Sequence, residues 1–455
     1  MDRVLVLNAV GLTPKLLHSG FMPLTAAYAA SCAGEQSILP DLPAVTCTAQ
    51  ASMLCGCPPS DHGAVGNGWY FRDLSEVWLW RQSAHLLQRR TILQRWCQAC
   101  PESTTAQIFW WWNLPSTATY SVTPRPTYWA DGRKEADIHS NPPELRDRLR
   151  ERLGDFPLFS FWGPGAGIAS TRWIVDATLD VLAEEKPGLT LSYLPHLDYD
   201  LQRFGPESPE ALRAAAELDT EIGRLIDAAE ADGIHLIVLS EYGIESVNEP
   251  VFLNRALRLA GLLEVHPAKN GALLDAGNSR AFAVCDHQCA HIYVQNDRDI
   301  HLVREILEML PGVERVYSRD ELRTIGLEHG RSGALFAVAA EGAWFAYPYW
   351  VGDDVEPDFA RTVDIHQKPG YDPCELFLDP DKRFLKPRLA LKLLAKKMGL
   401  RTLFNPIPLD ANIVCGSHGR LPSTPETGPL WIGPVDLRPH ANDVIRARDV
   451  FGGLL

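Results

Sequence analysis

At 455 residues, with 46% hydrophobic and 22% charged side chains, the chain has the make-up of a large globular unit and none of the signs of disorder. A formal net charge of -14 excludes a dedicated nucleic-acid binder, which needs a basic face to displace phosphate counterions. It leaves phosphate chemistry open, because a bound dication can supply the charge that meets a phosphoryl group. Ten cysteines are too sparse for a disulfide scaffold, and Cys97-x-x-Cys100 lacks a second pair that would complete a zinc or redox site. The apolar run at residues 4–7 is too short for a signal peptide. No stretch reaches the ~20 apolar residues of a membrane helix, so a cytoplasmic location is expected.

In chain order, residues 4–7 read as a first buried strand before a turn with Gly11 and Pro14. Residues 45–57 follow Pro40 and Pro43 and carry the small residues of a helix packed under a loop. A helix is expected at 168–185 and a strand at 189–194. A longer helix follows at 211–231, with Leu218, Ile222, Leu225, Ile226 and Ala229 near helical spacing and Gly233 as its stop. Residues 234–239 make the next buried strand. This alternation predicts right-handed crossovers and a mainly parallel central sheet flanked by helices. Residues 250–360 are less regular, with short strands at 281–284, 291–294 and 335–339 and a helix at 302–310. They read as an inserted cap subdomain within a single domain spanning 1–455. Residues 360–385 are loop-like. The segment 386–401 is basic and amphipathic, with Lys386, Arg388, Lys392, Lys396, Lys397 and Arg401 around a Leu/Ala stripe. It suits a solvated surface helix or a weak contact with an acidic membrane or polyanion.

Open parallel sheets place ligands beyond the carboxyl ends of their strands. Asn8 to Gly11 follow the first strand, residues 195–206 follow the second, and Ser240-Glu241-Tyr242-Gly243 follow the third. Gly416-Ser417-His418-Gly419-Arg420 lies near the C-terminus. Several strand ends bearing His, Asp or Glu predict one convergent polar site. The aromatic runs Phe109-Trp110-Trp111-Trp112 and Trp69-Tyr70-Phe71, with Trp78 and Trp80, read as packed core or as an apolar wall for substrate. Arg72, Arg81, Arg125, Arg133 and Lys134 lie near them in sequence and are candidates to meet a phosphate.

In order, these motifs resemble the nucleotide pyrophosphatase/phosphodiesterase branch of the alkaline phosphatase superfamily. The resemblance rests on Thr46 within Pro43-Ala44-Val45-Thr46-Cys47-Thr48, with Gly56, Pro58-Pro59 and His62-Gly63 behind it. It rests too on Asp198 followed by Gly205-Pro206, on Leu218-Asp219 and Ile222-Gly223 before Ser240-Glu241-Tyr242-Gly243, and on Gly416-Ser417-His418-Gly419. What it implies is an alkaline-phosphatase-like α/β fold and a hydrolase of phosphoric ester or pyrophosphate bonds. It further implies Thr46 as a nucleophile passing through a phospho-threonine, and one or two divalent ions, usually zinc, with manganese an alternative. Such a pair lowers the nucleophile's pKa and stabilises the leaving oxygen of a small phosphorylated substrate.

The chain departs from that pattern at ligand positions. Val10 stands for the first metal Asp, Gln202 for a His, Glu241-Tyr242 for Asp-His, and Ala49 for an Asn that steadies a phosphate oxygen. The expected metal ligands are therefore Asp198, Glu241 and His418, with Asp364 and His366 as replacements drawn from the loop. His196, Asp200, His287 and His291 are further candidates. Asn8, Gln50, Gln202 and Tyr242 are expected to bind substrate. Three functions stay open: a working hydrolase with a rebuilt site, a degenerate member that binds a phosphorylated metabolite, and a phosphotransferase.

Overall fold

The computed structural model describes residues 2–32, 34–130, 134–398, 400, 402–439 and 444–454. Its main sheet combines β1 (Val4–Ala9), β2 (Gln36–Leu39), β3 (Thr105–Ile108), β4 (Tyr120–Pro124), β5 (Ile138–Asn141), β6 (Leu189–Leu194) and β7 (His235–Leu239) with two late strands. Packed on or beyond it are α1 (Thr46–Cys55), α2 (Ile168–Glu184), α3 (His196–Phe204) and α4 (Pro209–Asp232). A second sheet holds β8 (Ala281–Asp286), β9 (Cys289–Val294), β10 (Val313–Tyr317) and β11 (Leu335–Ala339). The chain closes with α5 (Leu385–Lys397), β12 (Leu430–Ile432) and β13 (Ile445–Arg446). The main sheet runs β13-β2-β12-β7-β1-β6-β3-β4-β5. Its centre is parallel, β7 and β6 flanking β1, and antiparallel pairs occur at β12 and β5.

All six residues of β1 are buried, as expected of a central parallel strand covered on both faces. Alternate side chains feed two cores. Leu5, Leu7 and Ala9 join the one with α2 and α4, while Val4 and Val6 join the one shared with α1 and the second sheet. The segment expected as a cap, 250–360, carries that four-stranded antiparallel sheet, in the order β8-β9-β11-β10.

The register sets where the site lies. Asn8 pairs with Tyr193 on one side and Leu239 on the other, so β1, β6 and β7 end at one level. Helix α4 is fixed against the Pro23–Ser31 helix by Asp219, whose carboxylate accepts the Leu24 and Thr25 amides and the Thr25 hydroxyl. A Cβ on Gly223 would stand 2.5 Å from Leu24 Cδ1, so the glycine lets the Leu24 side chain lie close against α4. A Cβ on Gly243 would lie 1.8 Å from the Thr427 carbonyl oxygen, which explains a glycine directly behind Glu241-Tyr242.

Residues 195–206 differ from a simple post-strand loop, because α3 begins at once after β6. Its helical pitch puts Asp198 and Gln202 on one face and turns His196 and Asp200 elsewhere. His196 instead meets Glu217, and Asp200 meets Arg203. Among the described residues no helix is long and apolar enough to cross a membrane.

Candidate functional site

Thr46 is the first residue of α1, behind an extended Val45 that offers no side-chain cap. The helix's positive end therefore lies at Thr46. Thr46 Oγ1 lies 3.1 Å from the Tyr242 hydroxyl, and Tyr242 donates to Asp198 Oδ1 at 3.2 Å. With the phenol proton committed to Asp198, Thr46 is the donor of the first bond. Gln202, one turn beyond Asp198 on α3, donates to Asp198 Oδ2 at 2.8 Å, and its carbonyl accepts the Tyr371 hydroxyl at 2.7 Å. Asn8 donates to Glu241 Oε2 at 2.7 Å. Gln50, one turn along α1 from Thr46, accepts the Trp111 amide at 2.6 Å. Its Nε2 and Glu241 Oε1 lean toward each other without closing a bond of ordinary length.

His418 packs its ring 3.6 Å from that of Tyr242, nearly parallel, and 3.6 Å from His287, which in turn stacks on Tyr371 at 3.6 Å. The Nδ1 of His418 faces the Ala44 carbonyl at 2.8 Å. A carbonyl only accepts, so Nδ1 carries the proton and Nε2, 4.0 Å from Asp198 Oδ1, is bare. His287 sits at the β8–β9 turn with φ +60°, and its Nδ1 has no hydrogen-bond partner.

Burial governs the charges here. It pushes Asp198 up to about 7, with the Tyr242 and Gln202 hydrogen bonds pulling the other way. It pushes Glu241 up to about 8 against the Asn8 bond. It lowers His418 to about 3 and holds His287 well below its ordinary range, the neighbouring His418 adding to the effect. Near neutrality the site has little net charge.

Thr46, Asp198, Tyr242, His287 and His418 line a cavity of about 740 Å³. Much of the rest of its wall is apolar and aromatic, including Trp80, Trp111, Phe161, Trp162 and Leu389. The aromatic run thus divides its roles. Trp110 and Trp112 are fully buried, whereas Trp111 reaches the cavity and meets Trp80 edge-on at 5.6 Å. Of the basic candidates Lys134 lines the cavity. Arg72 bonds the Ser332 carbonyl, Arg81 lies over Trp78, and Arg133 lies outside the described residues.

The structure thus brings Thr46, Asp198, Glu241, Tyr242 and His418 together. It sets Asn8, Gln50 and Gln202 one layer behind the cavity wall, where they hold neighbouring side chains. Asp364 and His366 line the same cavity but join no ligand cluster. Asp364 accepts from Gln367, and His366 sits beside Arg81. Among the described residues His291 joins no ligand group either. His291 contacts the Val65 carbonyl and accepts the Gly333 amide, and Cys289 donates to Gly419.

Of the three further lining residues, His287 carries a sequence signal, a polar tip between two short apolar runs, whereas Tyr371 and Trp162 carry none, lying among Pro, Asp and Gly.

The model of the type I phosphodiesterase / nucleotide pyrophosphatase family matches residues 4–372. The chain belongs to that family. Type I phosphodiesterases and nucleotide pyrophosphatases are hydrolases of phosphoric ester bonds within the alkaline phosphatase superfamily. An uncharacterised pyrophosphatase/phosphodiesterase of Schizosaccharomyces pombe is 24% identical over 271 residues, 57% of this chain and 49% of that protein. The chain therefore spans about half the length of the curated relative it matches. Phosphonoacetate hydrolase from Sinorhizobium meliloti 1021, solved with phosphonoacetate, aligns at TM-score 0.63 and 16% identity over 99% of this chain and 94% of its own. Murine ectonucleotide pyrophosphatase/phosphodiesterase 5 aligns at TM-score 0.58 and 14% identity, over 100% and 94% respectively. Both place the fold as alkaline-phosphatase-like, with the mostly parallel sheet between helices.

Metal dependence is general in this family, yet a zinc or manganese pair does not fit the donors of this chain. A catalytic zinc takes three protein ligands. Here Asp198 Oδ1 and His418 Nε2 lie 4.0 Å apart, and among the described residues no three His, Cys, Asp or Glu side chains are arranged to hold an ion. Val10 offers methyl groups, Gln202 already donates to Asp198, and Asn8 donates to Glu241. The phenol of Tyr242 stands between Thr46 and Asp198 and is hydrogen-bonded to both. The structure thus does not gather Glu241, Asp364 and His366 with Asp198 and His418 into one ligand group among the described residues.

The raised pKa of Glu241 has a measurable consequence. The folded chain binds this proton up to about 8, while the unfolded chain releases it near 4.5. Between those values the native state holds more protons, so stability falls as pH rises. Glu241→Gln, close in shape to the protonated acid, is expected to remove that slope. Its apparent Tm should gain on the parent between pH 5 and pH 8.5, by the equivalent of a few kcal/mol at most; parallel Tm–pH curves would refute this.

Proposed function

We propose that this chain hydrolyses a phosphodiester bearing an apolar or aromatic substituent, with Thr46 as nucleophile and Asp198 as its base through Tyr242. The observation that carries the reading is the continuous chain from Thr46 Oγ1 to the Tyr242 hydroxyl to Asp198 Oδ1 at the wall of the cavity. Asp198 titrates about 7, where a general base is most effective at neutral pH. In the step itself the Thr46 oxygen bonds to phosphorus as the bond to the leaving oxygen breaks. The Thr46 proton passes to Tyr242, which gives its own to Asp198. The leaving group departs as an anion and takes a proton from solvent. Charge on the non-bridging oxygens faces the N-terminus of α1. Water then attacks the phosphorus as its bond to the Thr46 oxygen breaks; Asp198 returns its proton through Tyr242 to Thr46, and the water's surplus proton goes to solvent with the phosphomonoester.

A diester suits this site better than a pyrophosphate. It carries a single negative charge, and Lys134 is the one lysine or arginine among the described lining residues. Burying several phosphate charges without matching cations is costly. The aromatic walls fit the substituent rather than the phosphate.

The test is turnover of bis(4-nitrophenyl) phosphate after exhaustive chelation, with metal content measured on the same sample. The expected result is activity that survives chelation and rises with pH through about 7. Asp198→Asn should lower kcat by about a hundredfold or more and flatten that rise. Activity that disappears on chelation and returns with zinc or manganese would overturn the relay.

A second reading, binding of a phosphorylated ligand without turnover, is favoured by the capping of both carboxylates by Asn8 and Gln202 amides. Tight binding of the diester with no product at any pH would establish it. Recovery of a glyceryl phosphoester from reactions in glycerol would identify a transferase.

A further inference from the structure

Between residues 384 and 403 the chain holds six basic residues and no Asp or Glu, although its net charge is -14. Helix α5 occupies most of this stretch. Leu391, Leu394 and Met398, at spacings of three and four, form one stripe on it and are 67%, 54% and 66% exposed. Phe384 before the helix and Leu400 and Leu403 after it are also exposed. Leu389, on the opposite side of the helix, lines the cavity that holds Thr46, as do Leu378, Phe404 and Pro406. Lys392 bonds the Leu403 carbonyl and the Asn405 side chain, which ties the following segment back to the helix. Arg401 lies outside the described residues, and Lys386, Lys396 and Lys397 enter here by sequence alone.

A solvated surface helix has no use for an outward apolar stripe, and a polyanion site would leave that stripe idle. Apolar residues facing outward within a locally cationic segment match the chemistry of an anionic bilayer surface, where both contribute. We propose that α5 lies in the interface of an anionic membrane and seats the cavity, of which Leu389 forms part of the wall, against the lipid.

The experiment is co-sedimentation of the full chain with phosphatidylglycerol–phosphatidylcholine vesicles and with pure phosphatidylcholine vesicles. Binding is expected to the first set, weakening as salt is raised. The Leu391→Asp/Leu394→Asp variant should bind at least about tenfold more weakly, since both the apolar burial and the charge balance are lost. Both side chains are exposed and neither lines the cavity, so its diesterase rate and melting curve should match the parent. A parent chain that sediments equally with neutral and anionic vesicles, or with neither, overturns the proposal without any variant. So does undiminished binding of the double variant to anionic vesicles. Binding to heparin or polyuridylate that the double variant retains, with no vesicle binding by the parent, would assign the segment to polyanions instead.

Discussion

Thr46→Ala is expected to lower kcat/KM for bis(4-nitrophenyl) phosphate by at least about a thousandfold while leaving the fold intact. The hydroxyl is the atom that would form the bond to phosphorus, and no nearby group takes its place. Tyr242, 3.1 Å away, is a neutral phenol whose pKa burial holds well above its ordinary value. The methyl of alanine fits the space, because Thr46 heads a fully buried helix whose other nine residues are unchanged. Thr46→Ser keeps the oxygen and should keep a measurable fraction of the rate, and it should trap as a phospho-serine on brief acid quench. Equal rates for the parent and Thr46→Ala would sink the nucleophile assignment and leave the family membership standing.

The largest expected loss of stability lies elsewhere, at Lys368→Met. Lys368 is 1% exposed, and its ammonium lies 2.7 Å from Asp372, 2.7 Å from Glu375 and 2.8 Å from the Thr362 carbonyl. Two acids and one base are thus sealed together. Burial pushes the Glu375 carboxyl up, and Lys368 is the strongest influence holding it down. Removing the cation leaves two buried carboxylates facing each other, a change that typically costs about 3–5 kcal/mol. The effect should reach the cavity. Glu375 also accepts the Trp162 indole at 2.7 Å, and Tyr371 precedes Asp372 directly. A lower apparent Tm and a raised KM for the aryl diester are expected together. Adding Asp372→Asn and Glu375→Gln to Lys368→Met should recover much of the Tm. A Lys368→Met protein that melts with the parent would show that the triad is not a brace.

How far the sequence reveals this molecule depends on the range of the interactions. β6 and β11 are legible to the residue because a buried strand is a short apolar run bounded by breakers. α4 is legible because its apolar stripe repeats along 24 residues. The grouping of Thr46, Asp198, Glu241 and His418 follows from motif order, since the alkaline-phosphatase-like sheet brings those segments to one edge. Finer geometry is not encoded so locally. His196 and Asp200 stand two residues either side of Asp198, a spacing that shares a side only in extended chain. The helix that starts at His196 turns them away and aligns Gln202 with Asp198. The loop at 360–385 looked featureless because its order derives from a buried lysine meeting acids close by, a pattern indistinguishable in sequence from ordinary surface charge. The replaced ligands were visible as substitutions. That the Tyr242 hydroxyl stands between threonine and aspartate is visible only in the structure.

The stacked rings of Tyr242, His418, His287 and Tyr371 come from four stretches of chain that are far apart, and one of them is supplied only near the C-terminus. Such a column forms only once all four stretches have folded together, and losing any one of them strips its neighbours of a stacking partner.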